Sequence, residues 1–310
     1  MRVRVLKAGL ATTVQDGGRF GCAHLGISPC GAADLLSLRI ANLLVGNGEY
    51  AAALEMTLLG PALEFERSAT VALAGAACDC KVGQYRVPQN AAVEVPAGAV
   101  LQCGSTTDGA RAYVAIRGGI EVPMVMGSAA TDLRGEFGGV EGRRLREGDV
   151  LNLGARANGR PRRLRSGALG ELRKAGPIRV TRGAQGDWFD DDEYAKFLAS
   201  LYVVSEKADR AGLRLQGEAI APRERRQLLT DGIPLGAVQV PQDEQPIVLF
   251  VDQQTTGGYP KIANVIAADM HRLGQLRPRD AVGFAEVTMP EAVRALREQE
   301  QWLKEIWLEA

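Results

Sequence analysis

The sequence of residues Pro246–Lys261, PIVLFVDQQTTGGYPK, predicts a β-strand that ends in a polar glycine loop. The apolar run Ile247–Val251 has the length of a strand and is rich in β-branched residues. Adjacent glycines, Gly257 and Gly258, allow positive φ angles and leave backbone N–H groups uncovered. Two threonine hydroxyls precede these glycines, and a phenol and an ammonium group follow them, so the loop could hold an anion or an oxyanion. A tight turn with a solvated lysine is the simpler alternative for this loop alone.

Short apolar runs separated by Gly and Pro recur along the chain and predict a mainly β protein with a few helices. The runs are Thr70–Ala74, Ala92–Val95, Val100–Cys103, Ala112–Ile116, Ile178–Thr181, Ala237–Val240, Ile247–Val251 and Ala281–Val287. Helices are predicted over Ala32–Val45, over Asp187–Leu201 and from Thr288 onward. The last helix begins with a capping box, Thr288 to Glu291, and has a proline near its first helical position.

The length of 310 residues predicts two domains. We expect a β domain over residues 1–160, an Arg- and Gly-rich linker over 161–176, a second β domain over 177–288 and an amphipathic helix over 289–310. Both halves contain a strand, a Gly-Gly pair, a proline and an aspartate in the same order. This order favours a duplicated β domain, although turn-rich β chains also produce such echoes by chance.

Charge and composition argue against a nucleic-acid-binding, a membrane-spanning and a disulfide-stabilised protein. Lys plus Arg number 37 and Asp plus Glu 37, which gives no general electrostatic reason to expect nucleic acid or an anionic membrane as a partner. No apolar run approaches the roughly 18–20 residues that span a bilayer, and no signal peptide is recognisable, so we expect a cytoplasmic protein. Five cysteines suggest reduced thiols, with Cys30 buried. Because Cys78 and Cys80 are too close for a zinc knuckle, no structural metal is expected.

Two polar loops near the N-terminus could bind an anion. In Thr12–Gly21, Gln15 and Asp16 offer acceptors and amide donors, and Arg19 can bind a carboxylate or phosphate through two hydrogen bonds. An ordinary hairpin turn explains the glycines of this loop but not all of its polar groups. The next loop, Gly26–Asp34, leads into the first helix, where it either presents N–H groups to an anion or caps the helix through Ser28 or Asp34.

Two further segments place carboxylates beside arginines. In Ser205–Leu215, Arg210 and Arg214 could meet on a helical face, or Asp209 could orient one of them toward a carboxylate. In Thr131–Gly139, the Asp-x-Arg spacing favours a structural ion pair. The chain has no phosphate-binding loop, no nucleophile elbow, no His-Glu-x-x-His and no Met-Lys pair for covalent biotin. It therefore cannot be a self-contained enzyme of any of those kinds.

The motifs together resemble the allophanate hydrolase subunit 2, or biotin-dependent carboxyltransferase-like, family over nearly the whole chain. They are Thr12–Gly21, Gly26–Asp34, Leu54–Pro61, Gly118–Pro123, Thr131–Gly139, Asp209–Leu215 and Gln253–Lys261. The chain departs from the family pattern at Cys30, where a serine is usual, and at Ala33 and Ala211, where methionine is usual. These departures leave every charged residue of the motifs in place.

The resemblance implies two cyclophilin-like β-barrel domains and an activity that requires partner proteins. The implied activity is that of one subunit of an ATP-dependent 5-oxoprolinase, which opens 5-oxo-L-proline to L-glutamate. ATP would be shared with the complex, and no biotin would be attached to this chain. The implied partners resemble allophanate hydrolase subunit 1 and a lactam-utilisation protein. Two alternatives remain open: carboxyl transfer in a biotin-dependent urea carboxylase-type enzyme, and a non-enzymatic antagonist of a kinase-inhibitor protein.

The candidate site follows from the chemistry of lactam opening. A lactam is a poor electrophile, so phosphorylation of its carbonyl oxygen requires groups that stabilise transferring phosphoryl charge and a developing oxyanion. Lys261, Tyr259 and Asp209 are the candidate catalytic residues. The candidates for binding substrate or an anion are Gln15, Asp16, Arg19, Asp34, Arg210, Arg214, Gln254, Thr255, Thr256, Gly257 and Gly258. We expect these distant loops to converge on one cavity that a partner protein helps to enclose.

Overall fold

The computed structural model of the protein describes residues 1–154, 157, 159–168, 176–223 and 228–308. The chain divides into two compact units. Unit 1 consists of Met1–Phe20, Cys30–Ala168 and Ile306–Ala310, and unit 2 consists of Gly21–Pro29 and Leu169–Glu305. Among the described residues, no helix combines the length and the apolar composition needed to cross a bilayer.

Unit 1 contains a nearly closed, barrel-shaped antiparallel sheet. Its strands are β1 (Arg2–Lys7), β2 (Ala11–Gln15), β3 (Ala53–Thr57), β4 (Ala62–Phe65), β5 (Ala69–Val82), β6 (Tyr85–Arg86), β7 (Ala92–Val95), β8 (Val100–Ile116), β9 (Ile120–Glu121) and β10 (Val150–Leu153). They lie in the order β2-β3-β8-β4-β1-β10-β9, and β5 pairs with β6, β7 and β8. Helix α1 (Leu35–Val45) lies against β5 and β8.

The alternation of apolar and polar residues explains how the strands of unit 1 enclose a core. In β1, Val3 and Val5 are inaccessible to solvent, whereas Arg2 and Arg4 are exposed. Apolar side chains from every other strand of unit 1 except β6 belong to the same cluster. Burial of each large apolar side chain stabilises the fold by about 1.5–3 kcal/mol. The packed sheet therefore positions the polar loops that connect its strands.

Unit 2 contains a second barrel-shaped sheet. Its strands are β11 (Ile178–Arg182), β12 (Tyr202–Val204), β13 (Gly212–Gln216), β14 (Asp231–Gly232), β15 (Ala237–Gln239), β16 (Ile247–Leu249), β17 (Thr256–Gly257), β18 (Lys261–Val265), β19 (Ala281–Val282) and β20 (Phe284–Glu286). Eight of the described strands follow the order β19-β12-β13-β16-β15-β18-β11-β20, with β11 and β20 parallel, while β14 and β17 form a separate ladder. The helices are α2 (Asp191–Ala199), α3 (Met270–Leu273) and α4 (Met289–Glu305).

The mainly β prediction is confirmed, with two differences in strand boundaries. The runs Val100–Cys103 and Ala112–Ile116 are the two ends of one strand, β8, because β5 pairs with it along its length through several register shifts. The glycine-containing polar residues between the runs had indicated a turn. Conversely, the run Ala281–Val287, which was predicted as one strand, contains two short strands that are separated at Gly283.

The helix predictions are also confirmed, with shorter bounds. Helix α1 begins at Leu35 rather than Ala32 because the Asp34 carboxylate accepts a hydrogen bond from Ser37 N at 2.9 Å and caps the helix there. A 3-10 turn over Gly186–Trp188 precedes α2. The capping box of α4 forms as predicted, since the carboxylate of Glu291 accepts a hydrogen bond from the N–H of Thr288 at 2.8 Å.

The division into units differs from the sequence boundaries in two places. Residues 21–29 belong to unit 2, where the Ser28 hydroxyl donates to the backbone carbonyl of Gln253. Residues 306–308 belong to unit 1, where Arg165 N donates to Ile306 O at 2.8 Å. Of the predicted linker, residues 161–168 are part of unit 1 and 169–175 lie outside the described residues. Residues 309 and 310 of the predicted C-terminal helix also lie outside them.

Candidate functional site

Three loops of unit 1 meet around the carboxylate of Asp16. Its oxygens accept hydrogen bonds from Ser128 Oγ and Ala129 N, each at 2.6 Å, and from Gly18 N at 2.8 Å. The backbone carbonyl of Asp16 accepts a hydrogen bond from Ala32 N at 3.0 Å. Asp16 therefore ties the loop after β2 to residues 128–129 and to the segment before α1.

A close backbone contact explains one glycine of this region. A Cβ on Gly31 would lie 2.7 Å from Gly18 Cα, so a larger residue would separate the two loops. The neighbouring Cys30 is only 4% exposed, which confirms the expected buried thiol.

Arg19 is buried without a carboxylate partner among the described residues. The side chain is 2% exposed, and its Nη2 donates to Ala130 O at 2.6 Å. The guanidinium lies over the ring of Phe137, 4.8 Å from the centroid. Within the described part of the chain, Nη1 has no hydrogen-bond partner. Because buried charges in proteins are normally paired, an unused N–H on a buried guanidinium favours a binding group for an anion.

Gln15 supplies an unused acceptor near Arg19. Its Nε2 donates to Thr13 Oγ1 at 3.0 Å and to Thr131 O at 3.3 Å, whereas Oε1 finds no partner in the described residues. Since Arg19 binds the carbonyl of Ala130, both side chains meet the same short piece of backbone. Gln15 Oε1 is thus an unused acceptor and Arg19 Nη1 an unused donor, and both side chains contact the backbone of residues 130–131 in unit 1.

Asp34 acts as a helix cap and is held by a buried network that the sequence did not reveal. Its backbone N–H donates to the hydroxyl of Tyr113 at 2.8 Å, and that hydroxyl donates to Glu55 Oε2 at 2.7 Å. Glu55 Oε2 also accepts from Ala33 N at 2.8 Å. Burial, followed by the negative charge of Glu55, raises the pKa of Tyr113 well above its usual value, so its phenol remains a donor. Glu55 and Tyr113 lie directly opposite each other on β3 and β8, a pairing that only the sheet register creates.

In unit 2, the partner of Arg210 is Asp252 rather than Asp209. The Arg210 guanidinium makes two hydrogen bonds with the Asp252 carboxylate, at 2.8 and 2.9 Å. The Asp209 carboxylate instead accepts hydrogen bonds from Ala211 N at 2.8 Å and Gly212 N at 3.1 Å, and so closes a turn.

The proposed helical face for Arg210 and Arg214 is wrong, because Arg214 lies in strand β13. There Leu213 and Leu215 are buried and Arg214 is exposed, which is the two-residue period of a strand. The expected Asp132–Arg134 side-chain pair is also replaced by a turn, since Asp132 Oδ1 accepts from Arg134 N at 3.0 Å.

The buried side chain of Lys261 forms an ion pair with a half-exposed carboxylate, which the motifs did not predict. The side chain is 2% exposed, and its Nζ lies 2.9 Å from Asp231 Oδ2. Hydrogen bonding to Lys261 lowers the pKa of Asp231. Asp231 belongs to β14, whose only ladder in the described residues is with β17, the strand of Thr256 and Gly257. The predicted glycine loop is therefore joined to Lys261 through a short, separate piece of sheet.

Neither glycine of the loop, Gly257 or Gly258, has a positive φ among the described residues. A Cβ on Gly257 would lie 2.7 Å from Ile233 Cδ1, the end of a flexible side chain, so a larger residue there would require Ile233 to shift. Gln254 and Thr256 are exposed, and Thr255 is half-buried and accepts a hydrogen bond from Ile233 N through its carbonyl.

A cavity of about 750 Å³ opens beside this loop within unit 2. Tyr259 and Gly258 line it, together with Thr230, Gln242 and Glu244. Tyr259 is 45% exposed, so its phenol is available to a ligand in the cavity. Hydroxyl, amide and carboxylate groups around an aromatic ring suit a small polar molecule.

The structure thus gathers the candidate residues into two local sets. Gln15, Asp16, Arg19 and Asp34 lie together in unit 1, whereas Tyr259 and Lys261 belong to the loop region of unit 2. Convergence of both sets on one cavity stays a prediction. The described residues contain no group of three or more His, Cys, Asp or Glu side chains placed to hold a metal ion.

Comparison with known proteins gives a consistent family result. A model of the carboxyltransferase domain, subdomain A and B, matches residues 25–286. The chain is 40% identical to the C subunit of 5-oxoprolinase from Escherichia coli over 98% of this chain and 97% of that protein. It is 35% identical to the C subunit of 5-oxoprolinase from Haemophilus influenzae over the same shares of the two chains. In the crystal structure of K. lactis urea amidolyase, a region covering 100% of this chain but 20% of that chain superposes with a TM-score of 0.92 at 31% identity.

Proposed function

We propose, from the premise that this chain belongs to the family of carboxyltransferase domains with subdomains A and B, that it is one of the subunits of an ATP-dependent 5-oxoprolinase. Such an enzyme opens 5-oxo-L-proline to L-glutamate. The observation that carries the proposal is the end-to-end similarity to two bacterial proteins that are named as the C subunit of 5-oxoprolinase. Similarity over the full length of both chains favours a shared role more strongly than similarity to a fifth of a larger enzyme.

The unit 1 set supplies groups that complement an anionic lactam. The unused Nη1 of Arg19 can bind a carboxylate or a phosphoryl oxygen, and the unused Oε1 of Gln15 can accept a hydrogen bond from an amide N–H. Both side chains are closed off from solvent, and the Phe137 ring covers the guanidinium. Ligand access to Arg19 therefore requires Phe137 to move aside, after which the dry surroundings would strengthen the interaction.

The unit 2 set supplies a cation and a phenol. Lys261 carries a positive charge in a buried position, where a developing oxyanion gains more than it would in water. Its partner Asp231 is half-exposed and keeps the ammonium oriented. Tyr259 lines the 750 Å³ cavity and can donate to a carbonyl oxygen or stack on a ring. Asp209 closes a turn beside Arg210, and in this proposal it fixes backbone geometry near the site.

Partner proteins are part of the proposal. Both relatives are named as one subunit of an enzyme, which implies other subunits. We expect two partner subunits, one resembling allophanate hydrolase subunit 1 and one resembling a lactam-utilisation protein. ATP, when bound in the complex, supplies the phosphoryl group that activates the lactam carbonyl. The buried guanidinium of Arg19 is a suitable contact from this chain for that phosphoryl charge.

A second candidate function is carboxyl transfer in a urea carboxylase-type enzyme. The close superposition on part of urea amidolyase favours it. The same donors would then hold a ureido oxygen and a small amide acceptor. A biotin carrier and a biotin carboxylase would have to be separate proteins, because this chain has no Met-Lys pair for covalent biotin.

Reconstitution with the two purified partner subunits tests the proposal. We expect phosphate release from ATP that depends on 5-oxo-L-proline and stops when this chain is omitted. Glutamate should appear in equal amount, which links the phosphate to ring opening. Phosphate release that depends on bicarbonate and a biotin carrier would instead establish the carboxyltransferase. Absence of both activities in an assembled complex would overturn an enzymatic role.

A further inference from the structure

Three cysteine thiols lie on β5 and β8 of unit 1, strands that carry none of the candidate site residues. The Sγ atoms of Cys78 and Cys80 lie 3.2 Å apart on β5. Cys80 lies directly opposite Cys103 of β8 in the sheet. All three are reduced. Nothing in the proposed function uses these thiols.

Cys78 and Cys80 are alternate residues of β5, and their side chains are in contact. Alternate residues of a regular strand share a face, with Cα atoms about 6.6 Å apart. The register between β5 and β8 shifts between Cys78 and Cys80, and the extra residue lies on β8, because Cys78 pairs with Thr106 and Cys80 with Cys103. In that part of β8, a Cβ on Gly104 would lie 2.5 Å from Asp79 O, so glycine allows the two strands to approach closely beside the cysteines. A disulfide would require the two sulfur atoms to move from 3.2 Å to about 2.0 Å apart.

The two thiols differ in access. Cys78 is half-buried, whereas Cys80 is 1% exposed. Both line a cavity of about 490 Å³ whose rim carries Arg86 and Gln89. Gln89 Nε2 lies 3.8 Å from Cys78 Sγ and can donate to it. A reagent in this cavity would reach Cys78 first and find Cys80 directly behind it.

We propose that Cys78 and Cys80 form a reversible dithiol–disulfide pair, oxidised by a small anionic disulfide of the glutathione class. The Cys78 thiolate attacks one sulfur of that disulfide, forming a mixed disulfide and releasing one thiol. The Cys80 thiolate then attacks Cys78 Sγ, forming the Cys78–Cys80 bond and releasing the second thiol. Two protein thiols are oxidised by two electrons, and the small disulfide is reduced to two thiols, which carry away both protons. Arg86 lines this cavity and pairs with Asp79 at 3.2 Å, but its side chain is 79% exposed, so the rest of its guanidinium can meet a carboxylate of such a molecule.

The proposed bond is suited to reversal. A ring closed over three residues removes little entropy from the unfolded chain, so the disulfide would contribute little to stability. The neighbouring Cys80 and burial raise the pKa of Cys78, while the neighbouring Cys103 and burial raise the pKa of Cys80. Both groups therefore remain protonated near neutral pH, which makes exchange slow. Below the pKa of the attacking thiol, the rate should rise by about tenfold per pH unit.

Peptide mapping tests this pair directly. The folded full-length protein is treated with oxidised glutathione, denatured and alkylated, and then digested with trypsin. The peptide Ser68–Lys81 contains both cysteines and no other. We expect it to lose two hydrogen atoms and to escape alkylation, while the peptide with Cys103 is alkylated. A reducing dithiol should restore alkylation at both positions.

Matched variants assign the bond. Cys78→Ser should abolish the oxidised peptide, whereas Cys103→Ser and Cys30→Ser should leave it intact. Because Cys78 is half-buried, the serine variant should fold, and far-ultraviolet circular dichroism checks this. Three results would overturn the proposal: complete alkylation at every pH tested, a glutathione adduct that persists on Cys78, or a bond between Cys80 and Cys103.

Discussion

At the scale of single residues, the hydroxyl of Tyr113 is expected to contribute to stability. Tyr113→Phe removes the acceptor of Asp34 N–H and the donor to Glu55, and both groups are buried. The variant takes away the acceptor of the buried Asp34 N–H and one of the hydrogen bonds to Glu55, which costs about 1–3 kcal/mol. Urea denaturation should show this loss, and Tyr85→Phe, at an 82% exposed position, should leave the midpoint unchanged. Equal midpoints for the Tyr113 variant and the wild type would contradict the network.

Arg19 provides a test of anion binding that separates charge from geometry. Arg19→Lys keeps the positive charge but removes the planar guanidinium. In the native protein, that guanidinium donates to Ala130 O through Nη2, and its Nη1 is the group available for an anion. Loss of one charged hydrogen bond corresponds to about 10–100-fold in binding. In the reconstituted enzyme we expect KM for 5-oxo-L-proline to rise by about that factor, with a smaller change in kcat. The exposed Arg134 serves as the control, since Arg134→Lys should have neither effect. An unchanged KM in the Arg19 variant would exclude it from substrate binding.

Lys261 is expected to matter for turnover more than for folding. Lys261→Ala removes the buried ammonium, but its partner Asp231 is half-exposed and can be solvated by water. We therefore expect loss of turnover with normal co-purification of the partner proteins. Asp231→Asn is the companion variant, which keeps the ammonium and weakens its orientation, so it should retain partial activity. Wild-type rates in Lys261→Ala would remove Lys261 from the site.

Single residues also show where sequence reasoning succeeds and where it stops. Arg19 and Lys261 were predicted as site residues because their motifs combine cations with glycine turns; the structure shows that both are buried, and their roles in a site stay predictions. Asp231 was missed because it becomes a partner of Lys261 only through the β14–β17 ladder. Tyr113 and Glu55 were missed for the same reason, since each looks like an ordinary strand residue until the register places them opposite each other.

At the scale of elements, the carboxylate of Asp269 links β11 to the turn before α3. It accepts hydrogen bonds from Arg179 N at 2.8 Å and Arg179 Nη2 at 2.6 Å, and from Arg272 Nη1 at 3.1 Å. Burial opposes ionisation, but the hydrogen bonds and charges of Arg179 and Arg272 prevail and lower the pKa of Asp269 below its ordinary value of 3.8. The carboxylate is therefore held in its ionised form by both arginines.

This pairing predicts a specific loss of stability in acid. Because the folded pKa lies below the unfolded one, the contribution is complete above the unfolded pKa and is lost as pH falls through the folded pKa. Asp269→Asn should lower the unfolding free energy at neutral pH by about 3 kcal/mol, since it leaves buried donors without their charge partner. Below about pH 4 the difference between variant and wild type should shrink. Urea titrations across this range measure it, and a constant difference would contradict the assignment.

Elements whose signals are local were predicted well. The capping box at Thr288 predicted where α4 begins, and the stripe of apolar residues predicted that this segment is a helix. The length of β8 could not be read locally, because its middle contains Gly104 and Gly109 and a run of polar residues. Only pairing with β5 makes that segment a strand, so tertiary contacts outweigh the local preference for a turn.

At the scale of the whole molecule, the periodicity of apolar residues and the spacing of glycines were sufficient to predict the fold class. They were not sufficient to predict which segments belong to which unit. The alternation in strands such as β1 encodes a sheet with one buried face. Membership of residues 21–29 in unit 2 depends on contacts such as that of the Ser28 hydroxyl with Gln253 O. Such contacts join residues more than two hundred positions apart and leave no periodic trace in the sequence.

The last described residues, 306–308, belong to unit 1, although they directly follow α4, a helix of unit 2. This assignment predicts which unit a substitution at Ile306 should destabilise. Ile306 is 1% exposed, Arg165 N donates to its carbonyl at 2.8 Å, and Leu308 N donates to Arg163 O at 2.8 Å. Ile306→Ala should therefore destabilise unit 1 by about 2–4 kcal/mol through lost burial.

Hydrogen exchange locates the effect of that substitution. We expect faster exchange at the amide of Arg165 and in the neighbouring backbone, with little change in the middle of α4, because the contacts of Ile306 lie within unit 1. Leu308→Ala is the matched control, since Leu308 is 51% exposed and should change neither region. Faster exchange throughout α4 with normal protection at residues 163–165 would mean that Ile306 anchors the helix instead, and would reverse its assignment to unit 1.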